Sequence, residues 1–157
     1  MNFASGLFII KDGTVSSTGG SSFTGNGVSF FLTGFGAGVQ ISGNGDWHIV
    51  ATTSGPIAGF VFFLDPNGAS GAAASASQIS GNGALYFEGV IYLPKQLLTL
   101  TGNSLASTPS PYTSFVMDTI SINGNGTLEI NSDSTRTTVP IPSQLLVGLN
   151  GQARLVR

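Results

Sequence analysis

Residues 80–103 read SGNGALYFEGVIYLPKQLLTLTGN, and the reading of this stretch decides the fold. A Ser-Gly-Asn-Gly group opens it and a Thr-Gly-Asn group closes it. Between them stand Leu, Tyr, Phe, Val, Ile and Thr, side chains that suit a pleated, half-buried surface. Gly and Asn tolerate positive φ at little cost, so each Gly-Asn group lets the chain turn sharply. The stretch reads as turn, extended chain, turn, with 21 residues from Gly81 to Gly102.

Outward from there the same motif recurs. TGNGV begins at Thr24, SGNGD at Ser42, SGNGA at Ser80, TGNSL at Thr101 and NGNGT at Asn123, with a weaker LNG at 149–151. Glycines 25, 43, 81, 102 and 124 are separated by 18, 38, 21 and 22 residues. Because 38 is nearly twice 19, a disguised copy is expected near Asp65-Pro66-Asn67-Gly68. A period near 20 is the mark of a solenoid in which one repeat is one coil. The Leu-x-x-Leu-x-Leu frame of a leucine-rich repeat is missing, and hairpin turns would recur every 8–12 residues. The expected fold is all-β and a single domain over 1–157. It is a right-handed parallel β-helix of about seven coils, from 157 residues at 20–22 per coil.

If each motif turns the same corner, Asn26, Asn44, Asn82, Asn103 and Asn125 stack in a column and their amides bond along the axis. Counting from each Asn, position +3 holds Ser29, Trp47, Leu85, Ala106 and Leu128, and +5 holds Phe31, Ile49, Phe87, Thr108 and Ile130. Position +4 holds Phe30, His48, Tyr86, Ser107 and Glu129. The odd columns are mostly apolar and the even one more polar, as strands with one inward face require. On this register Phe30 and Tyr86 share an outward column and form the candidate contact face, since exposed aromatics suit protein or glycan. Segment 65–78 is low-complexity and reads as a flexible excursion or a tightly packed turn, and segment 104–114 reads as a surface loop. Phe3, Leu7, Phe8, Ile9 and Ile10 begin or cap one end; residues 139–157, with Pro140 and Pro142, are the expected cap over the last coil.

Composition narrows the function classes. Only 8% of residues are charged against roughly 25% in an average domain, so Ser, Thr, Asn and Gly keep the surface wet. Five basic residues give no phosphate track, which argues against nucleic acid. No apolar run approaches the 18 residues of a membrane span, and the N-terminus has no signal-peptide pattern. With no cysteine there is no disulfide or thiolate chemistry. His48, the single histidine, has no acid or nucleophile at hand, because Glu129 in its column lies three or four coils away. The seven acids, Asp12, Asp46, Asp65, Glu88, Asp118, Glu129 and Asp133, fall at different phases of the repeat, whereas a glycosidase pair must lie within roughly 5–10 Å. Asp65 and Asp118 each follow an apolar strand and suit turn stabilisation. The expectation is no catalytic residue, no cofactor and no metal.

Beyond their period, the wording of the coils resembles the C-terminal region of TadG-like proteins of tight-adherence (Flp) pilus systems of bacteria. The strings are SGLFIIKDGTV (5–15), GNGVSFFLTG (25–34), TTSGPIAGFVFFLDPN (52–67), SGNGALYFEGVIYLPKQLLTLTGN (80–103), YTSFVMDTISINGNGTLEI (112–130) and ARLVR (153–157). They run in order across nearly the whole chain. The resemblance implies an envelope or surface component, periplasmic or extracellular, with pilus or envelope proteins as partners and glycans as further candidates. It brings no catalytic residue to carry over. The N-terminal pilin-like helix and von Willebrand-type middle region common in such proteins are not in this sequence. Two further functions compete: an ice-binding solenoid, which needs one outward Thr column, and a polysaccharide-active β-helix enzyme, which needs converging acids.

Overall fold

The computed structural model of the chain describes residues 1–70, 76–102, 105–106, 109–125 and 127–146. Thirteen strands follow one another: β1 (Asn2–Phe3), β2 (Gly6–Lys11), β3 (Thr14–Ser17), β4 (Phe23–Asn26), β5 (Val28–Thr33), β6 (Gly38–Ile41) and β7 (Trp47–Val50). Then come β8 (Phe60–Leu64), β9 (Ala76–Gly81), β10 (Ala84–Gly102), β11 (Leu105–Ala106), β12 (Thr113–Gly124) and β13 (Thr127–Leu128). A 3-10 turn (Ser134–Arg136) and the short helix α1 (Ser143–Leu146) end the described chain.

The strand pairings are parallel and join each element to one a full coil away. The first face stacks β1, β4, β7, the start of β10, β11 and β13. The second stacks β2, β5, β8, the middle of β10 and the start of β12. The third stacks β3, β6, β9 and the ends of β10 and β12. This is a three-sided parallel β-helix. Strand β10 crosses all three faces without a break, bending at Gly89 and between Leu93 and Leu97, where its register against β12 shifts.

The coil number corrects the expected seven: the solenoid makes about five turns, with β13 opening the next. The 38-residue gap is one coil, because β6 pairs directly with β9 and β7 with β10. Its extra length lies in the connections on either side of β8, between β7 and β8 and between β8 and β9. The group at Asp65-Pro66-Asn67-Gly68 is no hidden copy of the Gly-Asn corner: it turns between β8 and β9 over Gly34, whose N–H donates to the Gly68 carbonyl at 3.2 Å.

The corner turned by Gly43 shows why glycine recurs there. Gly43 has φ +100°, and a Cβ on it would lie 2.1 Å from the Gly19 carbonyl oxygen. Gly81 (φ +116°) stacks on Gly43 in the same way, and Gly102 and Gly124 continue the corner. The first rung is Gly19, out of STGGSS, and the Asn44 N–H donates to its carbonyl at 2.9 Å.

Asn26 is therefore not in the Asn column, which corrects the register drawn from spacing alone. Its Thr-Gly-Asn lies extended inside β4, with Asn26 opposite Val50.

Inward side chains form columns along the axis. Phe23 stacks on Trp47 at 4.5 Å between ring centres, and Phe30 on Phe62 at 5.3 Å. Phe8, Phe30, Phe62, Ile91 and Phe115 hold one column in register. Burial of these large side chains, each worth about 1.5–3 kcal/mol, is what the solenoid gains from stacking. The largest polar side chain fully buried among them is that of Gln96, which donates to the Ala37 carbonyl at 3.0 Å and accepts from the Ser77 hydroxyl, tying three coils together.

Residues 139–146, expected as part of a cap, run along the side of the stack. Val139 and Pro142 are buried, and a Cβ on Gly59 would meet the Pro140 carbonyl at 2.2 Å. Leu145 lies against the outside of the second face, beside Phe60, Phe63 and Tyr92. Residues 147–157 lie outside the described residues.

Candidate functional site

Phe30 faces inward and is 2% exposed, which removes it from the candidate contact face. Nor does it share a column with Tyr86. Because Gly25 belongs to β4 and not to the corner, counting from Asn26 is out of phase, and the residue level with His48 and Tyr86 is Thr24. Of the two expected contact residues, Tyr86 alone faces out.

Tyr86 is the centre of a small outward cluster on the first face. Its ring lies over the His48 ring at 4.1 Å with 2° between planes, the direct result of their being neighbours across β7 and β10. Its hydroxyl donates to Glu88 Oε2 at 2.5 Å, and the Thr137 hydroxyl donates to Glu88 Oε1 at 2.5 Å. Glu88, only 9% exposed, thus joins the stack to the returning chain. Burial, with the Glu88 hydrogen bond second, pushes the Tyr86 hydroxyl up to about 12.

This shift has a measurable sign. A tyrosine raised when folded contributes stability that is complete below its unfolded value near 10 and is lost as the pH rises toward about 12. The melting temperature should fall across that interval, and less steeply in Tyr86→Phe. Burial raises the Tyr112 hydroxyl as well, so an ultraviolet titration should show late tyrosinate from both residues, and Tyr86→Phe should remove the share of Tyr86. If Tyr86→Phe leaves the late amplitude undiminished, the hydroxyl is not held by Glu88.

At the Asn corner one amide pair bonds along the axis. Asn82 Nδ2 donates to Asn44 Oδ1 at 3.2 Å, and the Asn82 N–H to the Gly43 carbonyl at 3.2 Å. Asn125 follows Gly124 at the same corner, and Asn103 lies outside the described residues. Both bonded amides are exposed, so water replaces a lost partner. Asn82→Ala should therefore cost only about 0.5–1 kcal/mol, the net value of one exposed hydrogen bond. A urea titration giving more than about twice that would mean that the amide ladder, rather than the glycine corner, holds the coils together.

The carboxylates serve the corners. Asp12 accepts from the Phe35 N–H at 2.9 Å and Asp46 from the Ala84 N–H at 2.8 Å, each across one coil. Asp65 accepts from the Asn67 N–H at 3.0 Å and the Thr33 hydroxyl at 2.9 Å, and these donors, the backbone ones foremost, hold it below the usual carboxylate range. Asp133 is lowered by the Thr135 hydroxyl and N–H that it accepts. Asp118 accepts from the Thr119 hydroxyl at 3.4 Å. Among the described residues no three His, Cys, Asp or Glu side chains gather as a metal site.

A second outward feature escaped the sequence reading. On the second face Ile9, Phe31, Phe63, Tyr92 and Val116 stand in register through five coils. Phe31 stacks on Phe63 at 5.7 Å and Phe63 on Tyr92 at 4.9 Å. A cavity of about 250 Å³ opens beside this column, lined by Pro56, Ile57, Phe60, Phe63, Tyr92 and Leu145. The signal was the Phe-Phe doublets at 30–31 and 62–63. In a strand with alternating faces, one member of each doublet must point out.

The fold and these surfaces define the class: a parallel β-solenoid with polar corners, an aromatic–carboxylate cluster on one face and an uncharged apolar column on another. Comparison with family models, with curated proteins and with solved structures finds no match for the chain.

Proposed function

We propose that the chain is a structural or adhesive module of the bacterial envelope or cell surface, working in a pilus-related assembly without catalysing a reaction. The observation that carries this reading is the uncharged outer column Ile9–Phe31–Phe63–Tyr92–Val116, which spans the length of the stack. Interface cores are depleted of charge and enriched in aromatics, and a stiff solenoid presents such a column without ordering cost. The stacked rings turn edges rather than faces outward, a geometry that favours protein over sugar at this column. Carboxylates engaged in corner hydrogen bonds support the non-catalytic part. The TadG-like wording of the coils supports the setting.

The test is retention of the purified chain on isolated envelope fractions of a piliated bacterium. Wild type should be retained, and Phe31→Ser with Phe63→Ser should lose at least about tenfold in retention while still folding. Equal retention would remove the column from the reading. Cleavage of any polysaccharide in a broad screen, abolished by Asp46→Asn, would overturn the non-catalytic reading.

A further inference from the structure

The two ends of the stack match each other. At the last coil, Ile120 and Ile122 belong to inward columns yet are 38% and 47% exposed, because no described strand covers them. Among the described residues no strand pairs with the outer edge of β12 from Ser114 onward, and the return of 131–133 reaches it over residues 111–113. At the first coil, among the described residues, β2 pairs only with β5 and β3 only with β6, which leaves the other edge of each without a described strand partner. There the inward Phe8 and Ile10 are only half-buried, whereas their partners Phe30 and Leu32 are buried.

The columns decide what fits. Phe8 stands at the foot of the column that ends in Phe115. Val15 stands at the foot of the one that passes Val39 and Leu98 to Ile120. Lys11 lies two residues beyond Ile9, and Asp118 lies two residues beyond Val116, at the top of the same outer column. Both charges are exposed. We propose that a second copy of this chain docks head to tail, its β2 and β3 edges pairing in parallel with the outer edge of β12, with Lys11 set against Asp118.

In that arrangement Phe8 covers Phe115, Val15 covers Ile120, and the outer column runs on from Val116 into Ile9. The interface is heterologous, so each docked copy offers a fresh end and the product is an open chain rather than a closed dimer. One element is in the way. On the first face β13 already occupies the position that β1 of the incoming copy would take. Docking therefore displaces residues 1–3, and their removal should strengthen it. The proposal stands apart from the surface role above and survives if the outer column binds nothing.

Sedimentation velocity over a range of concentrations tests it. Wild type should give a broadening series of species beyond dimer, weakened by salt. Lys11→Glu and Asp118→Lys should each weaken association at least about tenfold. The double variant, and an equimolar mixture of the two single variants, should both recover it. Deleting residues 1–3 should shift the series to lower concentration. A monomer at every concentration would overturn the proposal, and so would a closed dimer, or association that ignores both charge reversals. Circular dichroism melts of each variant separate lost docking from lost folding. Should Lys11→Glu not fold, Lys11→Gln serves, with an intermediate loss expected.

Discussion

Replacing Gly81 by alanine is expected to destabilise the fold by about 3 kcal/mol or more. Two costs combine. At φ +116° an L side chain is strained, at about 1–2 kcal/mol. The new Cβ would also stand 1.8 Å from the Gly43 carbonyl oxygen, so the stacked backbones of two coils must separate. Overpacking of that kind costs about 1–3 kcal/mol even where side chains can yield, and here the obstacle is main chain. Gly102→Ala is the comparison, because φ is again positive, +83°, but the nearest atom is 3.0 Å away. Its loss should approach the conformational cost alone. Urea midpoints for the two variants measure the difference; equal midpoints would mean that the corner is looser than its contacts require.

Trp47→Ala should cost about 3–5 kcal/mol, the range for truncating a large buried aromatic. Trp47 is 1% exposed and touches aromatic rings of three coils: Phe23 at 4.5 Å, Phe87 at 6.3 Å and Phe62 at 6.4 Å. Its indole N–H donates to the Ser17 hydroxyl at 3.1 Å, across to the third face. Trp47→Phe keeps most of the ring and loses that bond, so its cost should be about 1–2 kcal/mol. Thermal melts followed by far-ultraviolet circular dichroism avoid reliance on the lost fluorophore. A Trp47→Ala variant that melts within a degree or two of wild type would place the core elsewhere.

The solenoid was legible because its signal is repeated. Five corners carry Gly at positive φ under one another, four of them followed by Asn, and strand formers fill the intervals, so period and composition agree. The errors arose where the motif and the corner part company. Gly25-Asn26 has the wording of a corner but lies inside β4, while the true first corner, Gly19, has no Asn after it. Local wording records what a residue tolerates; stacking decides which tolerance is used. That one misplaced rung put Phe30 on the outside and linked it with Tyr86. The 38-residue coil was misread for a related reason. Loop length costs little, so a coil can carry two long connections without disturbing its neighbours' register.

At the candidate surfaces, legibility depended on sequence distance. Tyr86 could be placed outward from its own strand. Its carboxylate partner Glu88 lies two residues away on the same face, and its stacking partner His48 was in the column already drawn. Thr137 was invisible, because the return of the chain along the side of the stack follows no period. Asp65 was readable as a turn acid, since its donors Asn67 and Gly68 follow within three residues. Asp12 and Asp46 bond across a coil, and only the correct register reveals that.

The claim on which all of this rests is that β6 and β9 are direct neighbours, one coil apart despite 38 residues of sequence. Gln40 and Gln78 face outward in register on those strands. The chain has no cysteine, so Gln40→Cys with Gln78→Cys introduces a single pair. Parallel neighbours lie about 4.8 Å apart, inside the range for a disulfide, whereas an intervening coil would put them about 9.6 Å apart, beyond it. Mild oxidation should close an intramolecular disulfide in this variant and none in the Ser16→Cys, Gln78→Cys control, two coils apart. A free Gln40–Gln78 pair in the folded protein, together with a bonded control, would contradict the five-coil register.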